Sequence, residues 1–401
     1  MADNLLRLEA QYFQLVEPRD LHIPPGDVLL QPAIQQALYE RMFDESLPAL
    51  PPAAYRTRVL KLITTLIEDS ITDPDEDELN DDLMEAFGTL LAQPKPNSIE
   101  LAQQLSNVKY TAPRESSESR PREVVTIESR GLILSGGTTG NRTWEAALHL
   151  GSFLATPEGD KLVRGKRVIE LGAGTGFLSL FCARHLGVRS VVSSDREPSL
   201  IANMQECAAL NSDNECSLPF FPALWNWGTP LEISDDMQSL IENDTLSFDV
   251  ALGADLIYDT DIIPLLLATI EDLFENYNVK KFVISATLRN ENTFQTFLDG
   301  CEQNSFRVEK IPYDITRPSP NVSSGSQDNL ANESGLSKCH QMREITPCYP
   351  RRQGPKRYCN AKRERRDSHR HIFQTCAKLQ VVWHMLLAAP TFSIGSIQIG
   401  R

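Results

Sequence analysis

The chain has 401 residues, 41% of them hydrophobic and 23% charged, with a formal net charge of −15. Its length accommodates two domains, and its composition is that of an ordinary globular protein. The acidic balance argues against direct nucleic-acid binding, which draws on a basic surface, and leaves a basic protein partner open.

The chain begins Met1-Ala2-Asp3-Asn4, without the basic and apolar regions of a secretory signal. No apolar run approaches the ~18 residues of a membrane span, so a cytoplasmic protein with no membrane partner is expected. The cysteines form no CxxC pair and read as reduced thiols. Cys182, Cys207 and Cys301 fall in apolar helical patterns and are expected in the core.

Residues 1–110 read as a helical domain. Ile34, Leu38, Tyr39, Met42 and Phe43 recur at helical spacing, as do Val59, Leu62, Ile63, Leu66 and Ile67, and then Leu79, Leu83, Phe87, Leu90 and Leu91. Prolines at Pro24-Pro25, Pro48 and Pro51-Pro52 punctuate them. The acidic run at 73–78 reads as a solvated turn entering a helix N-terminus, with a binding face as the alternative. Residues 111–130 are polar and read as a linker.

Residues 131–316 alternate short β-branched runs with helical patterns. Strands are expected at 167–171, 190–194, 248–252 and 282–286, and helices at 177–186, 198–210, 262–277 and 293–302. This alternation predicts an α/β, Rossmann-like domain with a mainly parallel sheet covered on both faces. Residues 317–385, rich in small polar and then basic residues, read as a disordered insert, and 386–401 as a closing strand. Cys339, His340, Cys348, Cys359, His369, His371 and Cys376 match no usual ligand spacing, so no metal is expected.

The segment Val168-Ile169-Glu170-Leu171-Gly172-Ala173-Gly174-Thr175-Gly176 carries a buried strand into a glycine turn and then a helix. Glycine permits positive φ and close approach of a ligand to the backbone, and the first helical amides are free donors. Two cofactor classes use such a turn. The dinucleotide fingerprint wants glycine at its sixth position, where Phe177 stands. Glu170 before the turn and the compact GxGxG of Gly172, Gly174 and Gly176 fit S-adenosylmethionine better. Asp195, ending the next strand, can accept ribose hydroxyls in either cofactor class, or cap the following helix. In Trp225-Asn226-Trp227-Gly228 an indole can lie against adenine or belong to the core. Asp255 and Tyr258 follow the strand that ends in Gly253-Ala254, at the crevice end of a central strand. They are the candidate catalytic pair on the acceptor side, the alternative being a turn cap and a packed lid.

Together these residues resemble the seven-strand class I methyltransferases, and more narrowly methyltransferase family sixteen, whose members methylate lysines in proteins. That family's acid-x-x-aromatic motif is matched by Asp255-Leu256-Ile257-Tyr258. Within it, Gly136-Gly137-Thr138-Thr139-Gly140-Asn141-Arg142-Thr143-Trp144-Glu145-Ala146-Ala147 and Ala286-Thr287-Leu288-Arg289-Asn290-Glu291 are similar to the elongation factor 2 lysine methyltransferases, as is the helical leader. The resemblance covers roughly residues 1–316. It implies S-adenosylmethionine contacts from Trp144, Gly172, Ala173, Gly174, Asp195, Trp227 and Ala254, to which the turn itself adds Glu170 and Gly176. It also implies a cytoplasmic enzyme whose protein substrate is translation elongation factor 2. The family's final hairpin is expected soon after a strand near 306–313, so the long stretch before 386 predicts an insertion, genuine or left by a faulty gene model. Two rivals remain at this point: a methyltransferase with a small-molecule or nucleic-acid acceptor, and a cofactor-binding scaffold without activity.

Overall fold

The helical periodicity of the leader produces α1 (Ala2–Phe13), α2 (Pro32–Leu38), α3 (Ala53–Glu68) and α4 (Asp81–Ala92). The computed structural model describes residues 2–73, 75, 77–94, 96–97, 100, 104–112, 121–129, 131, 138–212, 217–313 and 340–347. Leu8, Tyr12, Leu29, Leu38, Val59 and Ile63 close one apolar core among these helices. Its polar atoms are paired: the Tyr12 hydroxyl donates to the Met42 carbonyl at 2.7 Å, and buried Gln35 accepts from the Asn80 amide at 2.9 Å. Asn80 caps α4 by accepting from the Leu83 amide at 3.1 Å, and Asp81 and Asp82 sit in the first turn, where the helix dipole favours them.

Part of the expected linker is instead a hairpin, β1 (Leu105–Ala112) paired antiparallel with β2 (Arg122–Ser129). Ser106, Val108, Tyr110 and Ala112 alternate inward, with Val124, Thr126 and Glu128 facing them from β2. The alternation hides in polar residues because its buried members include Thr126 and Glu128. Glu128 is fully buried and accepts from Tyr110 Oη at 2.9 Å and Thr126 Oγ1 at 2.8 Å. The hairpin joins the two halves. Lys109 stands 4.1 Å over the Phe13 ring of α1, and Asn211 both donates to and accepts from the Val125 backbone.

The remaining strands are β3 (Arg167–Leu171), β4 (Ser190–Asp195), β5 (Phe220–Leu224), β6 (Val250–Ala254), β7 (Lys281–Thr287), β8 (Phe306–Lys310) and β9 (His340–Pro347). They form one sheet in the order β5-β4-β3-β6-β7-β9-β8. The first five run parallel, and β9 lies antiparallel between β7 and β8. Strand periodicity sorts the side chains: Val168, Val191, Leu252 and Val283 enter one core, Ile169, Val192, Ala251 and Phe282 the other. The first core takes α5 (Glu145–Leu154), α6 (Pro157–Val163), α7 (Phe177–His185) and α8 (Pro198–Asn211); the second takes α9 (Ile263–Glu275) and α10 (Glu291–Gln303). Cys182, Cys207 and Cys301 are buried in these cores, and burial pushes the Cys207 and Cys301 thiols up to about 12.

The sequence places the closing strand at 386–401, which lies outside the described residues. The strand that completes the sheet is β9, inside the stretch read as an insert. Its apolar content is confined to Met342, on one face, and Ile345, on the other, both buried. Between them Glu344 pairs with Lys281 Nζ at 2.9 Å, so a strand flanked on both sides tolerates a charged pair.

Candidate active site

Strand β3 ends in a turn that favours glycine. Gly172 and Gly174 hold φ of +60° and +56°. A Cβ on Gly172 would lie 2.7 Å from Leu256 Cδ2 and 3.4 Å from Trp227 Cζ2. A Cβ on Gly174 would lie 2.9 Å from the Gly140 carbonyl oxygen. The turn is therefore walled by three segments distant in sequence, those around Gly140, Trp227 and Leu256. Gly176, also at positive φ, precedes α7.

Carboxylates stitch the turn to its surroundings. Asp195 Oδ2 accepts from the Gly174 amide at 3.0 Å, and Oδ1 from the amides of Arg196 at 2.7 Å and Glu197 at 3.3 Å. Burial raises its pKa against the pull of these three amides. Glu170 is buried, and its Oε2 accepts from both the amide and the hydroxyl of Ser179 on α7. Burial pushes this carboxyl up to about 8 despite both hydrogen bonds. Glu170 thus lies under the turn, fastening α7 to β3.

The crest of β6 forms the opposite wall. Asp255 has φ of +57°, and its amide donates to the Ser285 carbonyl at 2.8 Å. Its carboxylate, 7% exposed, accepts from the Thr287 amide at 2.8 Å, the Thr287 hydroxyl at 3.3 Å and Arg289 Nη2 at 2.9 Å. Tyr258, three residues further on, is 57% exposed, with Asp195 and Arg196 near enough for their charges to act on its hydroxyl. Trp144 caps α5, donates from Nε1 to the Thr139 carbonyl at 3.1 Å, and carries Arg142 and Arg289 guanidinium carbons each 5.4 Å from its ring centre. Ala254 ends β6 beside Asp255. Of the two candidate indoles, Trp225 is core, and Trp227 approaches the glycine turn.

The structure thus brings Trp144, Trp227, Asp255 and the glycine turn to one end of the sheet. Thr287, Arg289, Arg142 and Gly140 join them without having been assigned a role from sequence. Parallel pairing of Ala254 with Ser285 puts Thr287 beside Asp255, which strand register can foretell; the reach of the Arg289 side chain it cannot. Among the described residues no group of three or more His, Cys, Asp or Glu could hold a metal, and no helix is long and apolar enough to cross a membrane.

A parallel Rossmann-like sheet ending in an antiparallel hairpin, with a glycine cradle and a carboxylate at the tip of the second sheet strand, defines a class I methyltransferase. Its cofactor is S-adenosylmethionine, and the cradle fits: any Cβ at Gly172 or Gly174 would collide with the walls that shape it. The lysine methyltransferase family model matches residues 132–304. Protein-lysine N-methyltransferase EFM3 of Chaetomium thermophilum is 40% identical over 299 residues, covering 74% of this chain and 87% of that protein. EFM3 of Saccharomyces cerevisiae is 30% identical over 244 residues, 57% of this chain and 65% of that one. Human protein-lysine N-methyltransferase EEF2KMT is 26% identical over 196 residues, 47% of this chain and 57% of that one. The chain belongs to the lysine methyltransferase family and is an S-adenosylmethionine-dependent protein-lysine N-methyltransferase.

Proposed function

We propose that the chain methylates a lysine of translation elongation factor 2 in the cytoplasm. Support comes from the segments at 136–147 and 286–291, which resemble the elongation factor 2 methyltransferases in the places that build this site: Trp144, Arg289 and the Gly140 wall. Similarity to the Chaetomium protein over 299 residues, longer than the 132–304 domain, extends the likeness beyond the catalytic sheet. The observation that carries the reading is the joining of Asp255, through Arg289, to Trp144 at the glycine turn, which puts the acceptor motif and the cofactor cradle on one surface.

The cofactor supplies an electrophilic methyl group on a sulfonium. The protein supplies alignment, which can be worth ~7–11 kcal/mol of barrier, and an amine stripped of its proton. A lysine side chain has an unperturbed pKa of ~10.4, and burial of its head lowers it. Asp255 and Tyr258 orient that amine. Because Asp255 is neutralised by Arg289 and already accepts from Thr287, it positions rather than removes the proton, which leaves through water. In the cofactor set, Gly172, Ala173, Gly174 and Gly176 form the cradle, Asp195 takes the ribose, Trp144, Trp227 and Ala254 flank the ligand, and Glu170 supports the turn. Incubating the enzyme with labelled S-adenosylmethionine and a cell lysate tests the substrate. One labelled band at the mass of elongation factor 2 is expected; label in RNA, or in unrelated proteins only, overturns the proposal.

A further inference from the structure

The two guanidiniums beside Trp144 are not equivalent. Arg289 is balanced by the Asp255 carboxylate at 2.9 Å. Arg142 has Glu145 at 3.7 Å, in a pair with side chains 30% and 34% exposed, where solvent screens most of the attraction. Its Nε is shut away from solvent and finds no acceptor. A buried N–H on a charged group without an acceptor is unfavourable unless a ligand supplies one.

The place of Arg142 says which ligand. On one side of it the Gly140 backbone presses on Gly174; on the other, Thr143 Oγ1 meets Thr175 Oγ1 at 2.7 Å. Residues 140–143 therefore lie along the glycine turn, and Arg142 stands at the rim of the cradle. Four amides along the turn are committed: Ala173 donates to the Ser194 carbonyl, Gly174 to Asp195, Gly176 to the Ala173 carbonyl and Phe177 to Thr175 Oγ1. None of these four is left for an anionic group entering the cradle, which gains from a donor beside the turn.

We propose that Arg142 is the cationic anchor for the α-carboxylate of S-adenosylmethionine, received by the unpaired Nε–H. The proposal rests on the cofactor assignment of the cradle and adds a contact to it. The Trp144 ring, held by its bond to Thr139, fixes the guanidinium plane from one side. Glu145 opens the other hydrogen-bonding edge only loosely, so the carboxylate takes Nε without first breaking a close ion pair.

Calorimetry on the full chain tests this with two ligands, S-adenosylhomocysteine and methylthioadenosine, which share the nucleoside thioether but differ in the amino-carboxyl arm. Arg142→Met keeps an unbranched stem against Trp144 and removes the charge and the donor. It is expected to weaken S-adenosylhomocysteine by about tenfold or more while leaving methylthioadenosine within about twofold of wild type. Arg142→Lys, which keeps the charge but not the planar donor, should recover part of the loss. Unchanged S-adenosylhomocysteine affinity overturns the proposal, as does an equal loss for both ligands, which would mean a deformed cradle. A wild-type chain that bound neither ligand would instead remove the cofactor assignment itself.

Discussion

Glu170 shows how one buried carboxyl couples the stability of the site to pH. The folded chain holds its pKa at about 8, above the ordinary 4.5, because burial outweighs the two bonds from Ser179. Folded protein thus binds this proton more tightly than unfolded protein does. The resulting stability is complete below pH 4.5 and is lost as the pH rises to about 8. Within that window the slope approaches roughly 1.4 kcal/mol per pH unit. Glu170→Gln keeps a carbonyl oxygen for the Ser179 amide and cannot ionise. Denaturant melts from pH 5 upward should therefore show the wild type losing stability relative to the variant until the difference levels off near pH 8. Parallel curves for the two proteins would mean that Glu170 ionises as freely in the folded chain as in water.

At the scale of elements, the site depends on the β6 crest being fastened to the end of β7. Asp255 spends its carboxylate on Thr287 and Arg289, and Arg289 lies against Trp144. Asp255→Asn keeps an acceptor for Thr287 but leaves the Arg289 charge unbalanced, so the crest and its Tyr258 lose their register with the cradle. Turnover on the protein substrate should fall roughly tenfold to a hundredfold, since small misplacements near a reacting centre cost rates of that order. Affinity for S-adenosylhomocysteine should stay within about threefold, because the glycine turn is untouched. Turnover equal to wild type would remove Asp255 from the acceptor side. The crest was partly legible in sequence. Strand β6, buried on both faces, reads as an unbroken apolar run, and Asp255 and Tyr258 stand where the run stops. The glycine turn was legible for the same reason, since Gly172 and Gly174 punctuate a buried strand. Arg142 and Arg289 were not, because what gives them a role is a meeting on one indole of residues far apart in sequence, on long side chains whose direction no periodicity encodes.

Across the whole molecule, legibility follows burial. Strands β3, β4, β6 and β7 lie in the parallel centre, and their β-branched runs fall within two residues of the expected positions. The hairpin β1–β2 and strand β9 fail that test, for they interleave apolar residues with Thr126, Glu128, Arg343 and Glu344, whose partners lie in other segments. A polar strand of this kind looks like a linker until its neighbours are known. Strand β9 is nonetheless central to the sheet, flanked by β7 and β8, and Ile345 sits opposite both Phe282 and Val308 with no exposed surface. Ile345→Ala should therefore destabilise the protein by about 2–5 kcal/mol, as truncation of a fully buried isoleucine does, and S-adenosylmethionine should recover part of the lost melting temperature by binding the folded state. A melting temperature within a degree or so of wild type would mean that the sheet is closed by some other segment, the stretch at 386–401 being the first to examine by the same substitution at Ile397.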